Sequence, residues 1–201
     1  MIQIPALGSE PPEFDRRCRD RGKNWLVNNP EKNRPPAYWT EFSSEIANHF
    51  LNRCAYGAMW IPNGDIDHFV SISEDKSLAY EWSNYRWSEG TINNSKGKIH
   101  SSKILDPLDV IDGWFEIILP SLQVVVTESI PEQYREKAIF TIERLRLRDH
   151  ETVIRQRRAW YEAYELGELT LDGLRKKAPL IASAVEKFER EKHKNSDART
   201  R

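Results

Sequence analysis

The chain has 201 residues, 39% hydrophobic and 30% charged, with a formal net charge of −1. That length fits one domain with appendages or two small ones, and the composition fits a globular protein with a polar surface. The charge balance argues against strong unaided nucleic-acid binding, which needs a basic face. No run approaches the roughly 18 apolar residues of a membrane span, and the start lacks the basic and apolar regions of a secretory signal. A cytoplasmic location away from membranes is therefore expected.

Residues 1–12 hold three prolines and no periodicity, which predicts an extended, poorly ordered start. Phe14, Cys18, Trp25 and Leu26 among basic residues predict a short helix over 13–27, broken at Gly22. A loop with Pro30, Pro35 and Pro36 follows. Pro36 opens a helix whose apolar face, Tyr38, Trp39, Phe42, Ile46 and Phe50, runs to about Arg53. Short strands and a final helix are expected over 54–97, then a turn or short helical segment at Leu105-Asp106-Pro107. The runs 113–120 and 122–127 read as a hairpin turning at Pro120-Ser121. Helices are expected from Glu132 to about Leu147 and from Glu151 to Leu166, the latter capped by Gly167. A third starts near Leu171 and is interrupted by Pro179. The last helix should end near Lys192, and the tail from His193 should fray.

Two cysteines, Cys18 and Cys54, give no disulfide framework and no four-cysteine zinc site. The arginine clusters at 16–21 and 144–158 read equally well as solvated helix faces or as basic patches. The informative stretch is 54–97, CAYGAMWIPNGDIDHFVSISEDKSLAYEWSNYRWSEGTINNSKG. In Gly64–Phe69, strand alternation puts Asp65 and Asp67 on one face and His68 on the other. Histidine is a base usable near neutral pH. A carboxylate with an amide oxygen can hold Mg²⁺, which keeps waters and bridges to phosphate. Asp67 and Asn93 are of those types. Asn84 suits pinning a loop through backbone hydrogen bonds, and Lys96 is placed to reach a phosphate.

Asp67-His68-Phe69, a central Asn84, and Asn93-x-x-Lys96-Gly97 resemble the HNH endonuclease motif. Within that family the chain looks closest to HNH nucleases associated with retrons and Septu-type anti-phage systems. The further features are Cys54-Ala-Tyr56, the 78–87 segment LAYEWSNYRW and Gly113-Trp-Phe-Glu-Ile117. The resemblance implies an α+β fold in which a ββα-metal finger (54–104) is embedded in a mostly helical protein, between an N-terminal helical segment (1–53) and a β-hairpin with C-terminal helices (105–201). It implies a metal-dependent endonuclease with DNA as substrate. In that reading His68 is the general base, Asn84 the loop-holding residue, Asp67 and Asn93 the Mg²⁺ or Mn²⁺ ligands, and Asp65 a substitute ligand. It also implies an ATPase partner subunit of the structural-maintenance type, with oligomeric state left open. Many family members brace the finger with zinc on two Cys-x-x-Cys pairs. Here Gly57 replaces the partner of Cys54 and no second pair exists, so no structural zinc is expected, and Tyr56, Trp60, Trp82, Tyr85 and Trp87 are expected to pack in its place. Two other readings stay open: a non-cleaving subunit of the same fold that docks a partner protein, and an RNA-directed nuclease.

Overall fold

In the computed structural model, which describes residues 1–4 and 8–199, the fold is α+β. Its described part holds α1 (Asp20–Asn28), α2 (Ser43–His49), β1 (Asp65–His68), β2 (Tyr85–Ser88), α3 (Gly90–Lys96), β3 (Phe115–Ile118), β4 (Gln123–Val126), α4 (Glu132–Arg144), α5 (Glu151–Glu165), α6 (Leu171–Lys177) and α7 (Pro179–Arg199). β1 and β2 form one antiparallel pair and β3 and β4 another. One continuous apolar core reaches from Phe14 through the strands to Val185, so all three segments marked out in the sequence share it.

The first helix departs from expectation. It is not broken at Gly22: π-wound turns at Asp15–Arg19 run directly into α1. Gly22 is there because Tyr80 packs on it. A Cβ at this position would lie 2.2 Å from the ring carbon Cγ of Tyr80. The described residues 1–4 and 8–11 form neither helix nor strand, and the first of them are tied down. Met1 is buried, and the Gln3 N–H donates to Asp112 Oδ1 at 2.8 Å. Residues 5–7 of the expected extended stretch, and the last two of the expected frayed tail, lie outside the described residues.

Tyr38–Phe42 form a 3₁₀ turn that leads into α2, so the apolar face predicted from Pro36 onward is realised in two pieces. Trp39, Phe42, Ile46 and Phe50 are its buried side. Leu51 and Asn52, both at φ 54°, then turn the chain sharply out of the helix.

Farther along, β3 and β4 pair from Phe115↔Val126 to Ile118↔Gln123, with Pro120-Ser121 in the turn as predicted. Asp106 caps the short turn Pro107–Asp109 by accepting from Leu108 N–H at 3.0 Å. α4 stops at Arg144 rather than Leu147, and Arg146 takes a left-handed φ of 55°. Gly167, at φ 75°, ends α5 as a glycine after a helix should. α6 stops before Pro179, which opens α7. α7 continues to Arg199, past the expected end near Lys192, because a polar helix can run on without the apolar periodicity that marks one in sequence.

Candidate active site

The site is built where β1 ends. In the β1–β2 pair Asp65 faces Ser88, Ile66 faces Trp87, Asp67 faces Arg86 and His68 faces Tyr85. α3 follows β2 at once, capped by the Glu89 carboxylate, which accepts from Ile92 N–H at 3.0 Å. Gly97, with φ of 54°, ends it. These elements gather Asp67, His68 and Asn93 around one cleft of about 870 Å³. Asn33, Arg34, Pro35 and Trp39 line another part of it, and Ile72, Glu74, Lys76 and Lys98 complete the lining with Ile66, Ser71, Ser73 and Gly97.

His68 is 9% exposed. Its ring stands edge-on to Trp39, centroids 4.6 Å apart, and to Tyr85 at 5.2 Å. Nε2 lies 2.9 Å from the Ala79 carbonyl oxygen. A carbonyl only accepts, so Nε2 carries the proton and Nδ1 the lone pair. Burial holds the ring's pKa below its usual value, partly opposed by the Ala79 contact. The neutral ring with a fixed tautomer is the form a general base needs.

Asn84 fastens the segment that leads up to Ala79. The Asn84 side chain accepts from Val70 N–H at 2.8 Å and donates to the carbonyls of Val70 at 2.9 Å and Leu78 at 3.1 Å. The expected loop-pinning residue thus ties together both ends of the segment that carries the histidine's carbonyl partner. Tyr85 Oη donates to the same Ala79 oxygen at 2.9 Å.

Asp67 is 4% exposed and held on both oxygens. Tyr56 Oη donates to Oδ2 at 2.7 Å, and Lys96 Nζ lies 2.9 Å from Oδ1. Burial and the neighbouring carboxylate push the Tyr56 phenol well above its usual pKa, so it stays a donor. Here the expectation for Lys96 needs correcting. Its ammonium is buried, donates also to the His68 carbonyl at 2.7 Å, and is directed inward rather than toward a phosphate. The carboxylate and the carbonyl offset part of the cost of taking the ammonium out of water.

Asn93 is half-buried and Asp65 exposed. The Asn93 amide nitrogen lies 3.5 Å from Asp65 Oδ2, at the limit of a hydrogen bond. That contact turns the nitrogen, not the oxygen, toward Asp65. Among the described residues no three His, Cys, Asp or Glu side chains converge as a metal cage. The donor types still fit a hard divalent cation. Each Asp67 oxygen keeps a second lone pair, the Asn93 amide supplies another oxygen, and Mg²⁺ binds through one or two carboxylates while keeping its waters.

At the position where a zinc brace would sit, the Cys54 thiol accepts from Gly57 N–H at 3.3 Å and Glu89 N–H at 3.4 Å. A Cβ on Gly57 would lie 3.3 Å from an Ile92 methyl, so that space is filled by apolar contact. Tyr56, Trp82, Tyr85 and Trp87 are buried, but Trp82 and Tyr85 pack edge-on to Phe14 and Trp87 packs on Gly64. Trp60 packs elsewhere, against Lys177 and edge-on to Trp160.

Sequence reasoning did not find Tyr56 as the partner of Asp67, Trp39 as the wall behind His68, or Arg34 and Lys98 in the cleft. Trp39 was visible only as part of an apolar stripe, and Arg34 only as a charge in a proline-rich loop. No protein-family model and no curated protein matches this chain.

Proposed function

We propose that the chain is a metal-dependent endonuclease of the HNH type, whose finger (54–104) takes its two strands and helix from β1, β2 and α3, hydrolysing phosphodiester bonds in DNA. One observation carries most of this reading: in a cleft that also holds Asp67 and Asn93, His68 is neutral, its Nε2–H is spent on a backbone carbonyl, and Nδ1 holds the lone pair. In the proposed step Nδ1 takes a proton from water as the water oxygen bonds to phosphorus. The bond to the leaving 3′ oxygen then breaks, and that oxygen takes its proton from solvent. Asp67 and Asn93 would hold Mg²⁺ or Mn²⁺. Such an ion, when bound, stabilises charge on the leaving oxygen and orients the phosphate. Ala79, Trp39 and Tyr85 orient the base, while Lys96 and Tyr56 orient the Asp67 carboxylate.

A second reading, a non-cleaving subunit of the same fold that docks a partner protein, is favoured by one observation: both Asp67 oxygens already hold hydrogen-bond donors. An RNA substrate presents the same phosphodiester to the same residues. Delivery to nucleic acid by an ATPase of the structural-maintenance type, in an anti-phage setting, is part of the proposal, since the balanced net charge of −1 gives weak unaided affinity. No helix among the described residues is long and apolar enough to cross a membrane.

The test is cleavage of supercoiled plasmid and of RNA by the purified chain, alone and with the product of the neighbouring gene, in Mg²⁺, Mn²⁺ or EDTA. Metal-dependent nicking supports the reading, and stimulation by the neighbour supports the delivery proposal. Inertness toward both substrates in every condition selects the docking subunit.

A further inference from the structure

The cleft beside His68 has a charge pattern that the hydrolytic step does not use. Its two acidic side chains already have partners within the protein. Asp67 holds Lys96 and Tyr56, and Glu74 accepts from Ser101 N–H at 2.8 Å and from Ser101 Oγ at 2.6 Å. Two of its cations are free. Among the described residues Arg34 and Lys98 have no ion-pair or hydrogen-bond partner, and both are exposed. They enter from different elements: Arg34 from the proline-rich loop next to Trp39, which backs the His68 ring, and Lys98 from just beyond α3, which carries Asn93.

The loop bearing Arg34 is fastened. Lys76 Nζ donates to the carbonyls of Pro30 at 2.9 Å and Lys32 at 2.8 Å. Pro30, Pro35 and Pro36 further restrict its backbone. A guanidinium on a fixed loop loses less entropy on engaging an anion than one on a free loop.

We propose that Arg34 and Lys98 form a two-point grip on the sugar-phosphate backbone of a nucleic acid, taking phosphates on either side of the one presented to His68. The proposal rests on the hydrolase reading of the same cleft for its choice of ligand. Contacts of this kind position a strand without reading its bases, so the grip is indifferent to sequence.

The experiment is fluorescence anisotropy in EDTA, where no cleavage occurs, with the full chain and a short single-stranded DNA, the matching RNA or the DNA duplex, each titrated with NaCl. The variant is Arg34→Ala/Lys98→Ala. The control is Arg190→Ala/Lys192→Ala, which removes the same charge from exposed positions on α7, outside both arginine clusters. Losing two phosphate contacts should flatten the slope of log affinity against log salt by about 1.8 on duplex or about 1.4 on a single strand. The control should keep the parent slope. A variant slope equal to that of the control, or no binding of any probe by the parent, overturns the grip.

Cleavage separates this proposal from the one beneath it. A slope change without metal-dependent cleavage keeps the grip and removes the hydrolase reading. Cleavage by the parent, with the Arg34/Lys98 variant unchanged in KM and in slope, removes the grip alone. If both proposals hold, the variant raises KM on the order of tenfold and spares kcat, as expected for lost uniform binding.

Discussion

The ammonium of Lys96 lies 2.9 Å from Oδ1 of Asp67, with both side chains buried. Asp67 lies on β1 and Lys96 is the last residue of α3, so the pair links the strand to the last turn of the helix. Removing one partner leaves an uncompensated charge in the interior, which costs about 3–5 kcal/mol. Lys96→Met should therefore destabilise by about that much in urea unfolding. Asp67→Asn combined with Lys96→Met should cost clearly less than the two single changes added together. Simple additivity would mean that the pair is not coupled.

Asn84 makes three hydrogen bonds to the backbone of Val70 and Leu78. Asn84→Ala leaves those groups without partners, at about 1–3 kcal/mol for each that stays buried. Hydrogen exchange should accelerate across 69–80 more than in α4 or α5, and with it the Ala79 carbonyl should lose its hold on His68. Unchanged protection in that segment would contradict the pinning role.

Gly22 gives a prediction of sign. In an open helix interior Gly→Ala stabilises by about 0.5–1 kcal/mol. Here the new Cβ would meet the Tyr80 ring at 2.2 Å. Gly22→Ala should instead destabilise by about 1–3 kcal/mol through overpacking. A raised melting temperature would show that Tyr80 does not pack there.

These cases show what the sequence made legible. The β3–β4 hairpin was readable because β-branched residues run up to a Pro-Ser turn, and α5 because its apolar positions recur at helical spacing before Gly167. Asp67, His68 and Asn93 stand out in the sequence by residue type, and the fold brings those three to one cleft, whereas Asn84 lies outside the lining and bonds the backbone of Val70 and Leu78. Lys96 was misread because a lysine after a helical asparagine is ordinarily solvated. Its burial follows from a carboxylate 29 positions earlier, which no local pattern records. Tyr56 and Gly22 were obscure for the same reason: Tyr56 bonds to Asp67 across 11 positions, and Gly22 is shaped by the ring of Tyr80.

If His68 is the base of the proposed hydrolysis, its pKa sets the pH dependence. Its folded value is lowered, first by burial. The base must be neutral to act, so activity should rise with pH through that lowered value and level off near the ordinary histidine pKa of about 6.5. The same shift makes the neutral ring's contribution to stability full above about pH 6.5 and lost as pH falls through the folded value. An acid limb in single-turnover cleavage centred above about pH 6.5 would assign the base to another group. His68→Gln should flatten the acid-side loss of stability.

In the proposed hydrolysis Nδ1 of His68 activates the attacking water. The most direct test of that role is the single-turnover cleavage rate of the parent against His68→Ala at saturating Mg²⁺ or Mn²⁺, with circular dichroism confirming that both are folded. The expected result is a loss of at least about 10²-fold, the scale for removing a general base, with excess Mn²⁺ giving no rescue, whereas Asp67→Ala should recover in part. A folded His68→Ala that cleaves as fast as the parent would contradict it.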